Sequence, residues 1–404
     1  MIRKIQLFSL LTMLCSGMAF AASPVAYVYV QKPVQGDYVV APIYAYTAAS
    51  NGKLTPIKGS PFHVMGNMIG NTGSHLITLG AAFMYSYDVS PSGVIGAQTS
   101  EIDNQLYSGS ECGRAYTPYL NPPGEMDDTG SYAYAFLSGG SCYALQTYEV
   151  QKPSGDLTFR GSAIWEDACT GSVDNSVALP TIAGDNLFAY SIQGVQACNV
   201  FALFEGFNRE SSGTLDFNSS FSAVMPTPPP GGWYYVPEIA QLTGISFAHD
   251  TSNHMAIPVQ AAKSGAGGEE YYAFSQIASY TIDKDGNIST TNTWQNMPTL
   301  ANGTLNEMKI APSGKLLAVS VQTGVQFYHF NAAKPITEFT GVVGTSGYIT
   351  TMAWDKDNHL YAINGASGRL HIYEATPTSV KEVSGSPYDD VCGSDSCTLI
   401  VRVP

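Results

Sequence analysis

The sequence predicts an all-β fold, a seven-bladed β-propeller with four antiparallel strands in each blade. A β-hairpin pattern recurs seven times, a second pair of short strands precedes most of these hairpins, and the first and last strands each lack a partner that the other supplies. Charged residues make up 12% of the chain and Tyr occurs 25 times, which suits pleated, half-buried surfaces. Long stretches with the 3.6-residue period of a helix are absent.

The first 21 residues have the pattern of a secretory signal peptide. Arg3 and Lys4 form a short basic start, Ile5–Phe20 is mostly apolar, and Ala19-Phe20-Ala21 has the small-x-small form of a cleavage site. The apolar run is too short to span a bilayer. We therefore expect cleavage after Ala21 and a secreted or periplasmic chain, with residues 22–404 forming one domain and no membrane insertion.

The charge of the chain disfavours some partners. The net charge is −14, and residues 1–21 hold two basic and no acidic residues, so the mature chain carries −16. Nucleic acids and anionic lipids need basic patches. We expect neither as a partner.

Seven segments share an aromatic-flanked apolar strand, a turn rich in Gly, Asn or Pro, and a second alternating strand. They begin at Ile43, Met84, Leu145, Val200, Ile277, Val325 and Leu370. The equivalent residues Tyr46 and Tyr87 are 41 residues apart, which is the spacing of a four-stranded propeller blade. We expect each segment to form the outer two strands, C and D, of one blade.

A second repeat lies before the hairpins. "MKIAPSGKLLAVS" from Met308, "MAWDKDNHLYAIN" from Met352 and "ISFAHDTSNHMAIPV" from Ile245 each read as an apolar strand, a polar turn and another apolar strand. These pairs are the predicted inner strands A and B. One such sheet cannot bury both of its faces, whereas seven sheets packed radially bury them and shelter their edges.

The two ends of the mature chain complement each other. "AYVYV" at Ala26 looks like a strand B without a strand A before it, and "TLIVRV" at Thr398 looks like a strand A without a strand B after it. We therefore expect the C-terminal strand to join the N-terminal blade and close the ring. The similar segments that begin at Tyr46 and Tyr373 then form strands C and D of the first and last blades.

Six cysteines remain after cleavage, and an even number in a secreted chain indicates disulfides. Loops before strand A and between strands B and C emerge at the same mouth of a propeller. This topology selects the pairs Cys112–Cys142 and Cys169–Cys198, and the remaining pair, Cys392–Cys397, closes a small local loop. A metal site is the alternative, but no CxxC or paired histidine accompanies these residues. We expect no metal and no cofactor.

The segments "APSGKLLAVS" and "YTAASNGKLTPIKGSPF" resemble the lactonase-type seven-bladed propellers, which include the 6-phosphogluconolactonase-like proteins with Tyr-Val-Thr-Asn-like (YVTN) repeats. The resemblance covers nearly the whole mature chain and implies lactone hydrolysis at a channel mouth. The family often carries a Pro-His pair before strand A, which only "PFHV" at Pro61 approaches here. Clustered Arg or Lys for a phosphate is also lacking, so the expected lactone is non-phosphorylated.

Several polar residues are predicted at the mouth formed by the loops before strand A and between strands B and C. Glu307 and His63 are the candidate acid–base pair, and Arg114 is the candidate oxyanion partner. Candidate ligand-binding residues are Asp174, Asn175, Glu238 and Gln241. The competing interpretation is that all of these are solvated loop residues.

A second function fits the sequence equally well. It is a non-catalytic extracytoplasmic propeller that binds a glycan, a peptide or an envelope protein across the disulfide-bearing mouth, with the Pro-rich loop Pro226–Pro230 as a possible contact. The expected partners are thus a small lactone or carbohydrate, or an envelope protein, and the chain is expected to be a monomer. His249 and His254 are predicted at the opposite mouth and are interpreted as solvated.

Overall fold

The computed structural model of the chain describes residues 23–32, 40–80, 82–103, 117–118, 124–139, 142–166, 181–182, 186–193, 203–238, 247–265, 270–300, 305–344, 347–389, 391–392 and 397–404. These residues form seven antiparallel sheets arranged as a propeller, which confirms the predicted fold class. Each predicted hairpin forms strands C and D of a blade. No helix that could cross a bilayer occurs among these residues.

Blade 1 joins the two ends of the described chain. Its strands are β1 (Ala26–Gln31), β2 (Val40–Ala48), β3 (Leu54–Pro56), β4 (Phe62–Met65) and β31 (Thr398–Arg402). They follow the order β31–β1–β2–β3, and β4 also pairs with β2. Tyr29 of β1 lies opposite Ile400 of β31, so the C-terminal strand closes the ring as predicted.

Blades 2, 3 and 4 follow in sequence order. Blade 2 contains β5 (Asn67–Asn71), β6 (His75–Leu79), β7 (Phe83–Val89) and β8 (Ile95–Asp103). Blade 3 contains β9 (Thr117–Pro118), β10 (Gly124–Met126), β11 (Tyr132–Gly139), β12 (Cys142–Val150) and β13 (Leu157–Glu166), and both β9 and β10 pair with β11. Blade 4 contains β14 (Thr181–Ile182), β15 (Phe188–Gln193), β16 (Leu203–Arg209) and β17 (Leu215–Phe217).

Blades 5, 6 and 7 complete the ring. Blade 5 contains β18 (Trp233–Pro237), β19 (Ala248–His249), β20 (His254–Ser264), β21 (Glu270–Ile282) and β22 (Ile288–Ser289), and both β18 and β19 pair with β20. Blade 6 contains β23 (Leu305–Ile310), β24 (Leu316–Val321), β25 (Gly324–Asn331) and β26 (Lys334–Val343). Blade 7 contains β27 (Ile349–Trp354), β28 (His359–Asn364), β29 (Leu370–Thr376) and β30 (Ser379–Glu382).

The core lies between the blades. The described buried apolar residues form seven clusters, one at each blade–blade interface. Val28 of blade 1 and Tyr361 of blade 7 belong to the cluster that spans the closure. Because every sheet buries both faces in this way, no blade is stable without its neighbours.

A contact between an aromatic ring and a glycine recurs at these interfaces. Tyr27 starts strand B of blade 1 and lies against Gly93 in the C–D turn of blade 2, and Tyr132 lies in the same way against Gly213 of blade 4. Both glycines have positive φ angles, +79° and +84°. A Cβ on either glycine would overlap the ring. The turn therefore requires glycine for its backbone conformation and for the close approach of the ring.

The next tyrosine of the same strand completes each contact. The hydroxyl of Tyr29 donates to the carbonyl oxygen of Gly93 at 2.9 Å, and that of Tyr134 donates to Gly213 at 3.0 Å. Blade 4 repeats the arrangement against blade 5, where Tyr190 donates to Gly286 at 2.9 Å. The pattern aromatic-x-Tyr on strand B thus encodes the docking of the next blade.

Replacing Gly213 by alanine should destabilise the fold in two ways, through overlap of the added methyl group with Tyr132 and through the strain of a positive φ angle. Comparison with a glycine in open surroundings separates the two. Tyr132 is held in place, because the Arg209 guanidinium lies 4.7 Å from its ring centroid and pairs with buried Asp127 at 2.9 Å. Gly73 is the matched control, since its φ is +89° and its surroundings are open. We expect Gly73→Ala to lower the free energy of unfolding by about 1 kcal/mol, from backbone strain alone.

Gly213→Ala should cost a further ~1–3 kcal/mol, because the added methyl group overpacks the interface. Urea unfolding of the two variants and the wild type measures both effects. Equal losses for the two variants would show that the ring moves aside freely.

Candidate functional site

Most of the predicted mouth falls outside the described residues. Arg114, Asp174, Asn175 and Gln241 lie there, as do Cys112, Cys169 and Cys198. Cys142 begins β12, but its side chain is not described. The pairs Cys112–Cys142 and Cys169–Cys198 therefore stay predictions.

The third predicted disulfide is present. Cys392 and Cys397 are bonded, with their Cα atoms 5.9 Å apart. Both are buried in the cluster between blades 7 and 1. The bond thus lies directly before the strand that closes the ring.

The structure does not bring His63 and Glu307 together. His63 is exposed on β4, opposite Pro42 of β2, at the outer side of blade 1. Glu307 is 3% exposed on β23, the innermost strand of blade 6. Blade 7 separates the two. His63 was expected in a mouth loop, but it lies instead within a strand that continues the outer edge of its blade.

Glu238 directly follows β18, on the inner strand of blade 5. Burial raises the pKa of Glu238 to about 6, and a hydrogen bond with Ser275 opposes this rise. Its Oε2 has no hydrogen-bond partner among the described atoms. Glu238 was predicted among the mouth loops, and its role as a ligand-binding residue stays a prediction, since the neighbouring segment 239–246 is not described.

The described structure contains a cavity at the other end of the channel. The inner strands of blades 3 to 6 enclose about 320 Å³. We call this space the channel cavity; it is lined by Glu125, Asp128, Thr181, Phe247, Ala248, His249, Asp250, Thr251, Lys309, Ile310, Ala311 and Pro312. Asp128, Thr251 and Pro312 belong to the turns between strands A and B. The cavity therefore opens at the mouth opposite to the one that the sequence favoured.

Lys309 is the cation of this cavity. Its Nζ lies 3.4 Å from Oε1 of Glu307, and its side chain is 35% exposed. Burial by itself would lower the pKa of Lys309, but the carboxylates of Glu307 and Glu125 outweigh that effect and raise it. Lys309 is therefore charged throughout the physiological pH range.

Glu307 supports Lys309 rather than facing the cavity. Its Oε2 accepts a 2.5 Å hydrogen bond from the backbone N–H of Met352 in blade 7. Burial raises the pKa of Glu307, whereas Lys309 and the Met352 N–H lower it. With one oxygen toward Lys309 and the other on a neighbouring strand, this carboxyl positions the lysine.

Glu125 faces Lys309 from blade 3. Burial raises the pKa of Glu125 to about 7, against the opposing effects of Lys309 and a hydrogen bond from the Ile182 N–H. A carboxyl with this pKa exchanges protons near neutral pH, which is what general acid–base catalysis needs. Glu125 therefore supplies a proton acceptor opposite a fixed positive charge.

Further polar groups surround this pair. Burial raises the pKa of Asp128, and the charge of His249 lowers it. The Nδ1 of His249 lies 3.1 Å from the carbonyl oxygen of Asp250. Thr181 is 2% exposed, and its hydroxyl has no hydrogen-bond partner among the described atoms. An unpaired buried hydroxyl in a cavity wall is available to a ligand.

Sequence reasoning placed His249 at this mouth but missed Glu125 and Lys309, although a signal for them was present. Glu125 and Lys309 occupy the same register, two residues before the first residue of the A–B turn, Asp127 and Ala311 respectively. Charged residues at equivalent positions of the innermost strands of two blades are expected to face the same central channel. No cluster of three potential metal ligands occurs in the described part of the chain.

The raised pKa of Glu125 has a consequence for stability. The folded-state pKa of about 7 lies above the ordinary glutamate value of 4.5, so the folded chain holds this proton more tightly than the unfolded chain. Stability from this group is therefore complete below pH 4.5 and is lost as pH rises through 7.

We expect the free energy of unfolding of the wild type to fall by about 2 kcal/mol more than that of Glu125→Gln between pH 5 and pH 8. Urea unfolding at both pH values measures this difference. Glu210→Gln, which alters an exposed carboxyl, is the control and should keep the wild-type dependence. A wild-type dependence in Glu125→Gln would contradict the assignment.

Comparisons with known proteins support the fold. No family model and no curated protein matches the chain. Among solved structures, the chain is similar to a proposed 6-phosphogluconolactonase from Bacteroides uniformis, with a TM-score of 0.53 and 10% identity over 93% of this chain and 99% of that one. A protein from Lactobacillus plantarum gives a TM-score of 0.52 and 11% identity over 94% and 99%. The predicted resemblance to the lactonase-type propellers is thus confirmed for the fold.

Proposed function

We propose that this protein is an exported hydrolase that opens a small, non-phosphorylated lactone in the channel cavity. The observation that carries the proposal is the pair Glu125 and Lys309, a carboxyl with a pKa of about 7 and a charged amine in one cavity. The fold shared with a proposed 6-phosphogluconolactonase favours a lactone as the substrate class. The signal-peptide pattern of residues 1–21 supports export.

The two side chains divide the work of hydrolysis between them. Ionised Glu125 takes a proton from a water molecule as the water oxygen bonds to the lactone carbonyl carbon. Lys309 stabilises the negative charge that develops on the carbonyl oxygen. When the ring C–O bond breaks, Glu125 returns the proton to the departing ring oxygen. The product is the open hydroxy acid.

The charges of the cavity favour a neutral substrate. Lys309 is the only Lys or Arg among the described lining residues, whereas Glu125, Asp128 and Asp250 are acidic. A phosphate group requires several cationic donors and would be repelled here. The hydroxyl of Thr181 and the side chains of Asp128 and His249 suit the hydroxyl groups of a sugar-type lactone.

The test is a rate measurement on the purified mature chain with a panel of sugar and aliphatic lactones, following acid release at constant pH. Lys309→Met and Glu125→Gln should each lower kcat/KM by about 10²–10³-fold. In the wild type, kcat/KM should rise with pH through about 7, because Glu125 acts in its ionised form.

His63→Ala is the control, because His63 lies on the outer strand of blade 1, and its rate should equal that of the wild type. Thermal unfolding of all variants confirms that they fold. A Lys309→Met variant that folds and keeps more than half of the activity would refute the proposed site.

A further inference from the structure

A second concave site lies beside blade 5, away from the acidic and basic groups of the channel. We call it the Trp294 groove; it encloses about 440 Å³ and is lined by Phe274, Gln276, Trp294, Gln295, Met297 and Thr299. None of these lining residues carries a charge. In a chain with a net charge of −14, a groove of this size whose described lining residues include none that ionises favours a neutral ligand.

The groove presents an exposed indole. Trp294 is 38% exposed, and Gln295 and Thr299 are also exposed to solvent. A large exposed aromatic side chain next to polar groups costs hydrophobic free energy in the free protein. Such an arrangement is typical of binding surfaces, where the ring supplies contact area and the polar groups supply direction.

Backbone hydrogen bonds hold the Trp294 segment rigidly from one side. The N–H of Trp294 donates to the carbonyl oxygen of Thr227 at 2.9 Å, and the N–H of Thr227 donates to Asn292 at 3.0 Å. Thr227 belongs to the Pro-rich loop, whose prolines restrict its backbone. The Pro-rich loop thus supports the segment that forms one wall of the groove.

The other side of the segment is tied to strand β21. Buried Gln276 donates from Nε2 to the carbonyl oxygens of Trp294 at 3.0 Å and Met297 at 2.8 Å. The N–H of Leu300 donates to Ser275 at 2.9 Å. The backbone that carries the indole is therefore held on both sides before any ligand arrives, which reduces the entropy cost of binding.

We propose that the Trp294 groove binds a neutral carbohydrate chain. One face of a pyranose ring presents C–H groups that carry partial positive charge, and the face of an indole ring is negative, so the two stack. The hydroxyl groups at the sugar edge exchange hydrogen bonds with the amide of Gln295 and the hydroxyl of Thr299, both of which donate and accept. Among the described residues, the lining of the groove offers no ion-pair partner to phosphates, carboxylates or amines.

This site does not depend on the proposed hydrolase activity. The groove is built from blade 5 and the segments after β17 and β22, whereas Glu125 and Lys309 belong to blades 3 and 6. A carbohydrate held in the groove would fix the propeller to a glycan while the channel stays open. Loss of one function leaves the other measurable.

The experiment is a titration of the purified mature chain with cellohexaose, chitohexaose and maltohexaose, followed by calorimetry and by tryptophan fluorescence. At least one of these probes should bind with a Kd of about 1 mM or lower. Trp294→Ala should weaken that binding at least ~10-fold, and Gln295→Ala about 3-fold or more, because they remove the stacking face and the directing amide.

Tyr271→Ala is the matched control, since Tyr271 is 56% exposed on β21 but does not line the groove, and it should change the Kd by less than ~2-fold. Trp294→Phe keeps a smaller ring and should bind more tightly than Trp294→Ala. Lactone hydrolysis in Trp294→Ala should equal that of the wild type.

Three results would overturn the proposal. The first is that none of the three hexasaccharides binds at about 10 mM, a concentration one order of magnitude above the expected Kd. The second is unchanged binding in a folded Trp294→Ala variant. The third is an equal loss of affinity in Trp294→Ala and Tyr271→Ala. A decaproline peptide that binds at Trp294 when the sugars do not would assign the groove to a protein ligand instead.

Discussion

The propeller depends on the close approach of an aromatic ring on one blade to a glycine turn of the next. Tyr27 against Gly93 and Tyr132 against Gly213 set the distance and the angle between neighbouring sheets. The hydroxyl groups of Tyr29 and Tyr134 then fix the position of each turn by donating to its carbonyl oxygen. Tyr190 of blade 4 makes the same contact with Gly286 of blade 5, so one geometry recurs at three of the blade interfaces.

The circular arrangement of the seven blades also brings charged side chains into the central channel. An innermost strand has no neighbour on its channel side, so its backbone N–H groups face the channel without a sheet partner. Glu125 accepts from Ile182 and Glu307 accepts from Met352, in each case on the following blade. Each of these carboxyl groups thus links an innermost strand to the blade that follows it. Lys309 then balances charge that burial would otherwise make too costly.

Much of the fold could be predicted from the sequence, because its signals are local and repeated. The hairpins and the unpaired strands at Ala26 and Thr398 correspond to the blades and the closing strand, since alternation and turn residues determine strands directly. The site was harder to predict. His63 follows a turn and was expected in a loop, but the chain re-enters strand pairing at Phe62. Lys309 was not among the predicted site residues, because only the closed propeller places it opposite Glu125.

The closing strand also determines when the protein becomes complete. Blade 1 pairs Val28 with Val401, so its four-stranded sheet cannot form before β31 has been synthesised. Until then the backbone hydrogen-bonding groups on one edge of β1 have no strand partner, and one apolar face of blade 7 is not fully covered. A nascent chain therefore keeps this seam open until Thr398–Arg402 has left the ribosome and can pair with β1.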